Sequence, residues 1–551
     1  MKTKLLFVGF LLIYALIITR LFYLQIFTPV SIDNGLYLKS RKINPERGKI
    51  YDTNMTPLVL NQNNYLLYLE PKKIENKEKL IESLSKTLKI EEASMEARID
   101  MNKDWISITS RVSEEKKAEI ESLKIEGVGF QPQMKRYYPE ASLSAHLLGF
   151  VGKKADGDDL GYFGIEGFYN LDLTGLPGVL DSERDLFGRP IFVGVQNKVS
   201  AENGRDLVLT IDKTIQEISK KRISEGLERY RAKQGCIIVA NPNTMAILSL
   251  VCLPDYDLDQ YYSFTESFFK NPVVSEVYEP GSIFKPLIVG AAIQEKKIRP
   301  QDTYNEEGPI KIGEYQIKTW DEKYEGEITM TRILEKSSNV GMVYIGEKLG
   351  RENIYRYMDK FGFGKITGID LQGEVSGYIK PKSDWYPIDY STATFGQGIA
   401  VTPIQMIRAF ASLINGGNLM KPYVVEKILS KKGEIKIQPK IERKIFSKTT
   451  SEVVKKMLVS TVENAEVKWD RPKDIKIGGK TGTAQVAIQG HYDPSKTNAS
   501  FIGFLPADKP EFIVLVMFKE PKTSQWGSET AAPVFFEVAK DLIVYYGITP
   551  N

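Results

Sequence analysis

"YEPGSIFKPL", residues 278–287, places Ser282 directly after a Pro-Gly turn and Lys285 three positions further on. Spacing of three puts both side chains on one helix face. The pair therefore reads either as a nucleophile with its base or as a helix cap followed by a solvated lysine. Spacing alone does not choose, because Ser-x-x-Lys recurs at Ser83, Ser113 and Ser267. Ser113 opens the charged stretch "SEEKKAEIESLK" and reads as a cap, Ser83 lies on the polar face of "NKEKLIESLSKTL", and Ser267 in "ESFFK" has no turn ahead of it. Only Ser282 has both a turn before it and an apolar helical run after it.

Two further stretches bear on the choice. "EKSSNVGM", residues 335–342, interrupts a helical pattern with short polar side chains that compete for backbone hydrogen bonds. Two helices joined by a tight turn are expected there, with Ser337 and Asn339 projecting from it, although a plain cap would look the same. "IGGKTGTA", residues 477–484, reads as a strand whose Gly478, Gly479 and Gly482 let another backbone approach closely. Its Gly-Lys-Thr is not a phosphate loop, because that motif needs glycine where Asp474 stands.

Composition narrows the chemistry. The 551 residues are 42% hydrophobic and 26% charged, which suits two to four globular units, and a net charge of +4 without a basic run disfavours nucleic acid. Histidine is confined to His146 and His491, and cysteine to Cys236 and Cys252. Metal sites and a Ser-His-Asp triad are thereby disfavoured, no metal or cofactor is called for, and the base of any enzyme here is expected not to be histidine. The cysteines flank a hairpin pattern, "GCIIVANPNTMAILSLVC", and read as buried small hydrophobes rather than a bridge.

The first residues, "MKTKLLFVGFLLIYALIITRLFYLQIF", are apolar from Leu5 to Phe27 apart from a few polar side chains and Arg20. That length spans a membrane if Arg20 snorkels, and bulky residues stand where a cleavage site would be, so an uncleaved anchor is expected. Lys2 and Lys4 are expected to stay cytoplasmic, with everything after residue 28 outside the inner membrane.

Residues 28–205 read as a mixed α/β module in which "RGKIYDTN" and "NYLLYLEP" are strands and Gly175–Gly204 is a connector. Residues 206–551 begin with the strand "DLVLTID", whose Asp212 caps a helix, and end with "IKIGGKTGTAQV", "ASFIGFLP", "EFIVLVMF" and the helix "TAAPVFFEVAKDLIVYY". An antiparallel sheet built from both ends of this region, flanked by helices and with a helical subdomain inserted, accounts for that order.

Ser-x-x-Lys, Ser-x-Asn and Lys-Thr-Gly in this order resemble the active-site set of penicillin-recognising serine enzymes. "RGKIYDTN", "RYYPEASLSAHLLGFVG", "GIEGFYNLDLTGLPG", "FGQGIAVTPIQM" and "KTGTAQV" extend the resemblance, from the anchor to the final sheet, to the class B, monofunctional penicillin-binding proteins. The resemblance implies residues 1–27 as cytoplasmic stub and anchor, 28–205 as a dimerisation-type pedestal and 206–551 as a penicillin-binding transpeptidase domain. It implies a D,D-transpeptidase that crosslinks peptidoglycan stem peptides ending in D-Ala-D-Ala and is inhibited by β-lactams.

In that scheme Ser282 is the nucleophile, Lys285 its base and Lys480 a second cation. Ser337 relays a proton, Asn339 holds the substrate amide, and Thr481, Gly482 and Thr483 receive the peptide end. The implied partners are a polytopic SEDS-type glycosyltransferase and other division proteins, with a septal role closer than an elongation role. A membrane-anchored serine β-lactamase is the alternative with the same motifs.

Overall fold

The computed structural model describes residues 2–26, 38–140, 143–155, 157–183, 196–488 and 491–549. They fall into two compact units, Met1–Arg47 with Thr174–Gly204, and Gly48–Leu173 with Arg205–Asn551. In the first unit the helix Lys2–Ile26 contains a stretch, Leu6–Ile26, of mean hydropathy 2.1 with none of it buried in protein. At 1.5 Å per residue such a stretch covers about 30 Å, the thickness of a bilayer's hydrocarbon core.

The segment expected as a connector instead contains the strands Gly178–Glu183 and Gln196–Val199. With Leu38–Ile43 they form a three-stranded antiparallel sheet in which Leu38 faces Glu183 and Ile43 faces Gly178. Their polar composition has no local strand signature. Gln196–Val199 pairs with Gly178–Glu183, and that central strand finds its other partner, Leu38–Ile43, far back in the chain, where no short window reveals it.

The second unit contains two sheets that matter for function. The long strand Pro57–Leu69 pairs with Ile106–Val112 and Val128–Tyr137, and the helices Lys77–Leu88 and Glu114–Ser122 close a core around Leu67, Leu69, Leu84 and Ile120. As expected, Ser113 is a cap, accepting from Lys116 N at 3.3 Å. In "RGKIYDTN" only Ile50–Tyr51 is strand, because Asp52 turns the chain by accepting from Asn54 N and Thr56 N. That short strand runs parallel to Asp206–Leu209, which also pairs with Val425–Ser430.

The other sheet has five antiparallel strands in the order Ile247–Leu253, Gln234–Ala240, Phe512–Lys519, His491–Leu505, Gly478–Ile488. Its central strands are apolar at nearly every position because both faces are covered. Ile237, Val239, Val514 and Val516 pack under the helices Lys213–Tyr230 and Ala531–Tyr546, together with Ile223 and Phe535. Their sequence neighbours Ile238, Ala240, Ile513 and Leu515 face the helical subdomain through Phe284, Leu287 and Ile288. Asp212 caps its helix as expected, accepting from Thr214 N and Ile215 N.

Cys236 and Cys252 stand opposite each other in this sheet and form a disulfide, with Cα atoms 4.1 Å apart. This corrects the expectation of two separate thiols. The pairing depends on the register of the hairpin, which the residues of either strand alone do not specify.

Candidate functional site

The helical subdomain meets the edge strand Gly478–Ile488 along a cleft of about 230 Å³. Ser282 lies in a short 3-10 turn, Gly281–Phe284, that runs into the helix Lys285–Gln294. Glycine is required at 281 on two counts. Its φ is +58°, and a Cβ there would sit 3.1 Å from both Ala484 Cβ and Thr483 O. Gly482 is as constrained from the opposite side, since a Cβ would meet Ser500 Oγ at 2.4 Å and Ile283 at 2.9 Å. Gly281 N also donates to Gly396 O at 3.0 Å, so the serine turn is fixed between the strand and a loop.

Lys285 is fully buried on the first turn of its helix. Its ammonium donates to Ser337 O at 2.5 Å, Ser337 Oγ at 3.2 Å and Asn339 Oδ1 at 2.8 Å. Ser282 is not among these acceptors, although it lies one turn away. The bonds are possible because "EKSSNVGM" breaks as expected into the helices Met330–Lys336 and Asn339–Leu349. Ser337 takes a left-handed conformation between them, φ +60°, and Ser338 caps the second helix by accepting from Gly341 N.

Burial, and after it the cation of Lys480, holds the Lys285 amine well below the ordinary lysine range, against an opposing pull from Glu306. Lys480 is also buried, and desolvation lowers its pKa to about 7. Among the described residues its Nζ donates only to Thr481, to O at 3.3 Å and Oγ1 at 3.2 Å.

Ser282, Ser337, Asn339, Lys480, Thr481 and Thr483 all line the cleft, so the three separated motifs converge. Lys285 lies behind the wall and Gly482 is the close-approach point beneath it. Trp320 and Trp526, which sequence reading did not single out, face each other across the cleft with ring centroids 5.3 Å apart. Trp320 Nε1 donates to Lys336 O, and Gly527, next to Trp526, donates its N–H to Thr483 Oγ1. Both tryptophans sit in polar loops, and neither has a periodicity that would have marked it.

Residues 235–540 match the penicillin binding protein transpeptidase domain, and residues 42–209 the penicillin-binding protein dimerisation domain. The chain is a class B penicillin-binding protein. It is 31% identical to stage V sporulation protein D of Bacillus subtilis over 98% of this chain and 85% of that one. It is 30% identical to the peptidoglycan D,D-transpeptidase FtsI homolog of Mesostigma viride, over 98% and 94% respectively. Among solved structures, a peptidoglycan synthetase from Bifidobacterium adolescentis superposes with a TM-score of 0.74 at 25% identity, over 93% of this chain and 98% of that one.

The mixed α/β architecture, with its apolar N-terminal helix, is that of the penicillin-binding proteins. As a member of this family the protein is a serine-type D-Ala-D-Ala transpeptidase that acts on peptidoglycan stem peptides and binds β-lactams.

Proposed function

We propose that this penicillin-binding protein crosslinks stem peptides through an acyl-enzyme on Ser282, with Lys285 as base. The observation that carries the assignment is the complete burial of Lys285, one turn from Ser282 on the same short helical stretch and within reach of the Lys480 cation. Burial beside a second cation favours the neutral amine, which alone can accept a proton.

Ser282 Oγ attacks the carbonyl of the penultimate D-alanine, and its proton passes to Lys285 Nζ as the C–O bond forms. The backbone N–H groups of Ser282 and Thr483 hold the oxyanion. Collapse breaks the peptide bond, and Ser337, in contact with Lys285, delivers the proton to the departing D-alanine amine. An amine of a second stem then attacks the ester, forms the new amide and returns the proton to Ser282.

Lys480, Thr481 and Thr483 receive the terminal carboxylate, and Asn339 receives the substrate amide. Gly478–Ile488 is the outermost strand of its sheet, so a substrate peptide can pair along it, with Gly482 keeping the approach clear.

Residues 1–27 would anchor the protein once in the inner membrane with the N-terminus cytoplasmic. Residues 28–205 would form the pedestal and 206–551 the catalytic domain, both extracytoplasmic. The Cys236–Cys252 disulfide suits that oxidising side. "YEPGSIFKP" and "FGQGIAVTPIQ" favour septal synthesis in company with a SEDS-type glycosyltransferase and other division proteins. A second reading, wall synthesis during sporulation, draws support from the 31% identity to stage V sporulation protein D.

Fluorescent penicillin added to the detergent-solubilised full chain should label Ser282 alone, as read by mass spectrometry of the labelled peptide. Label that survives Ser282→Ala would overturn the assignment. Release over many minutes fits a transpeptidase, whereas release within seconds would favour a β-lactamase. Replacing residues 5–27 with an unrelated membrane span should abolish rescue of a depletion strain while leaving penicillin binding intact. Full rescue would remove the partner contact.

A further inference from the structure

The turn that presents Ser337 is gripped from behind by one carboxylate. Glu306 ends the strand Thr303–Glu306, opposite Gly326, and has no exposure to solvent. Its Oε1 accepts a short hydrogen bond from Ser338 Oγ, and its Oε2 accepts from Lys336 Nζ at 3.1 Å and from Glu325 N at 3.4 Å. Lys336 and Ser338 are the residues on either side of Ser337. Both are buried, and Lys336 Nζ also donates to Lys323 O. The backbone between these two anchors is the left-handed residue whose two oxygens meet Lys285.

A buried carboxylate is costly, and a buried ion pair is often no more stabilising than well-packed apolar side chains. Packing alone therefore gives no reason for an ionised pair here. We infer that Glu306 is a positioning residue of the transpeptidase reaction: by holding Lys336 and Ser338 it fixes Ser337, and through Ser337 the amine of Lys285. This rests on the reading of Ser282 and Lys285 given above. Glu306 also lies near enough to favour the charged form of Lys285.

The titratable and charged groups around the pair are few. Lys480 lies near Lys285, Lys336 and Tyr304 lie near Glu306, and the Glu325 carboxylate faces Lys336 at 3.8 Å with Arg332 beyond it. Removing the carboxylate withdraws the pull toward the cation. Lys285 then loses its proton at lower pH, and the rising limb of the acylation profile moves toward acid.

The test is the second-order rate of acylation by fluorescent penicillin, measured against pH on the full chain. Glu306→Gln keeps shape and one acceptor but removes the charge. It should slow acylation roughly 10-fold to 100-fold, the scale of a displaced reacting group, and shift the rising limb toward acid. The double variant Glu306→Leu, Lys336→Met replaces the pair with apolar side chains and guards against a misfolded single variant. It should unfold at or above the parent's temperature and still acylate slowly.

Parental rates in the double variant would mean that the pair serves stability only, and would overturn the inference. An unshifted or alkaline-shifted limb in Glu306→Gln would do the same. Label on a serine other than Ser282 in the unsubstituted protein would instead overturn the site reading, and the inference with it.

Discussion

The two lysines of the cleft are built into contrasting surroundings. On the helical side Lys285 has three protein acceptors, all supplied by a turn that is itself anchored on both flanks. On the sheet side Lys480 bonds, among the described residues, only to Thr481, its own neighbour in the strand. Both are buried, and desolvation lowers both, yet only one is held in place. The contrast separates two tasks. A base must be fixed relative to the nucleophile, whereas a cation that receives an incoming carboxylate must keep its donors free until the substrate arrives.

The largest effect should come from Lys285→Arg, which keeps a cation but cannot release a proton in the usable pH range. Acylation should fall on the order of 10³-fold, the contribution of a positioned base, with Ser282 still present. Thermal unfolding of the same sample checks that the loss is chemical.

Lys480→Arg should be milder, about tenfold, equivalent to about 1.4 kcal/mol of displaced charge. Its signature lies in the pH profile. In the parent, acylation should rise as Lys285 loses its proton and fall above about pH 7, as Lys480 loses the charge that holds the carboxylate. The second-order rate reports the free enzyme, so that falling limb belongs to Lys480. Arginine at 480 should retain the rise and abolish the fall. Equal losses from the two substitutions would erase the distinction between base and carboxylate holder.

The fold brings Ser282, Lys285, Ser337, Asn339, Lys480, Thr481, Gly482 and Thr483 together at one cleft. Turn, break and glycine signals mark their segments locally, and the family resemblance joins those segments into one site. The helix caps at Ser113 and Asp212 were legible from the residues alone, since a cap is a relation between residues a few positions apart. Glu306 was not legible, because it reaches Ser338 from 32 positions away in a strand of only four residues. Trp320 and Trp526 meet only when two loops from different layers face the same cleft. The Cys236–Cys252 bridge depends on hairpin register, and the strand Gly178–Glu183 depends on its distant partner Leu38–Ile43, neither of which periodicity encodes.

The five-stranded sheet has a consequence for how the protein is made. Its strand Gln234–Ala240 lies between Ile247–Leu253, which follows at once, and Phe512–Lys519, near the end of the chain. Synthesis proceeds at about 5–20 residues per second, so the apolar face of the first hairpin waits tens of seconds for its second neighbour. The helix with Lys285 and the turn with Ser337 emerge during that wait, before the strand that forms the far wall of their cleft exists. A ribosome that stops before residue 478 releases a chain with its nucleophile and no enzyme, exposing a large greasy surface to whatever quality control patrols the compartment.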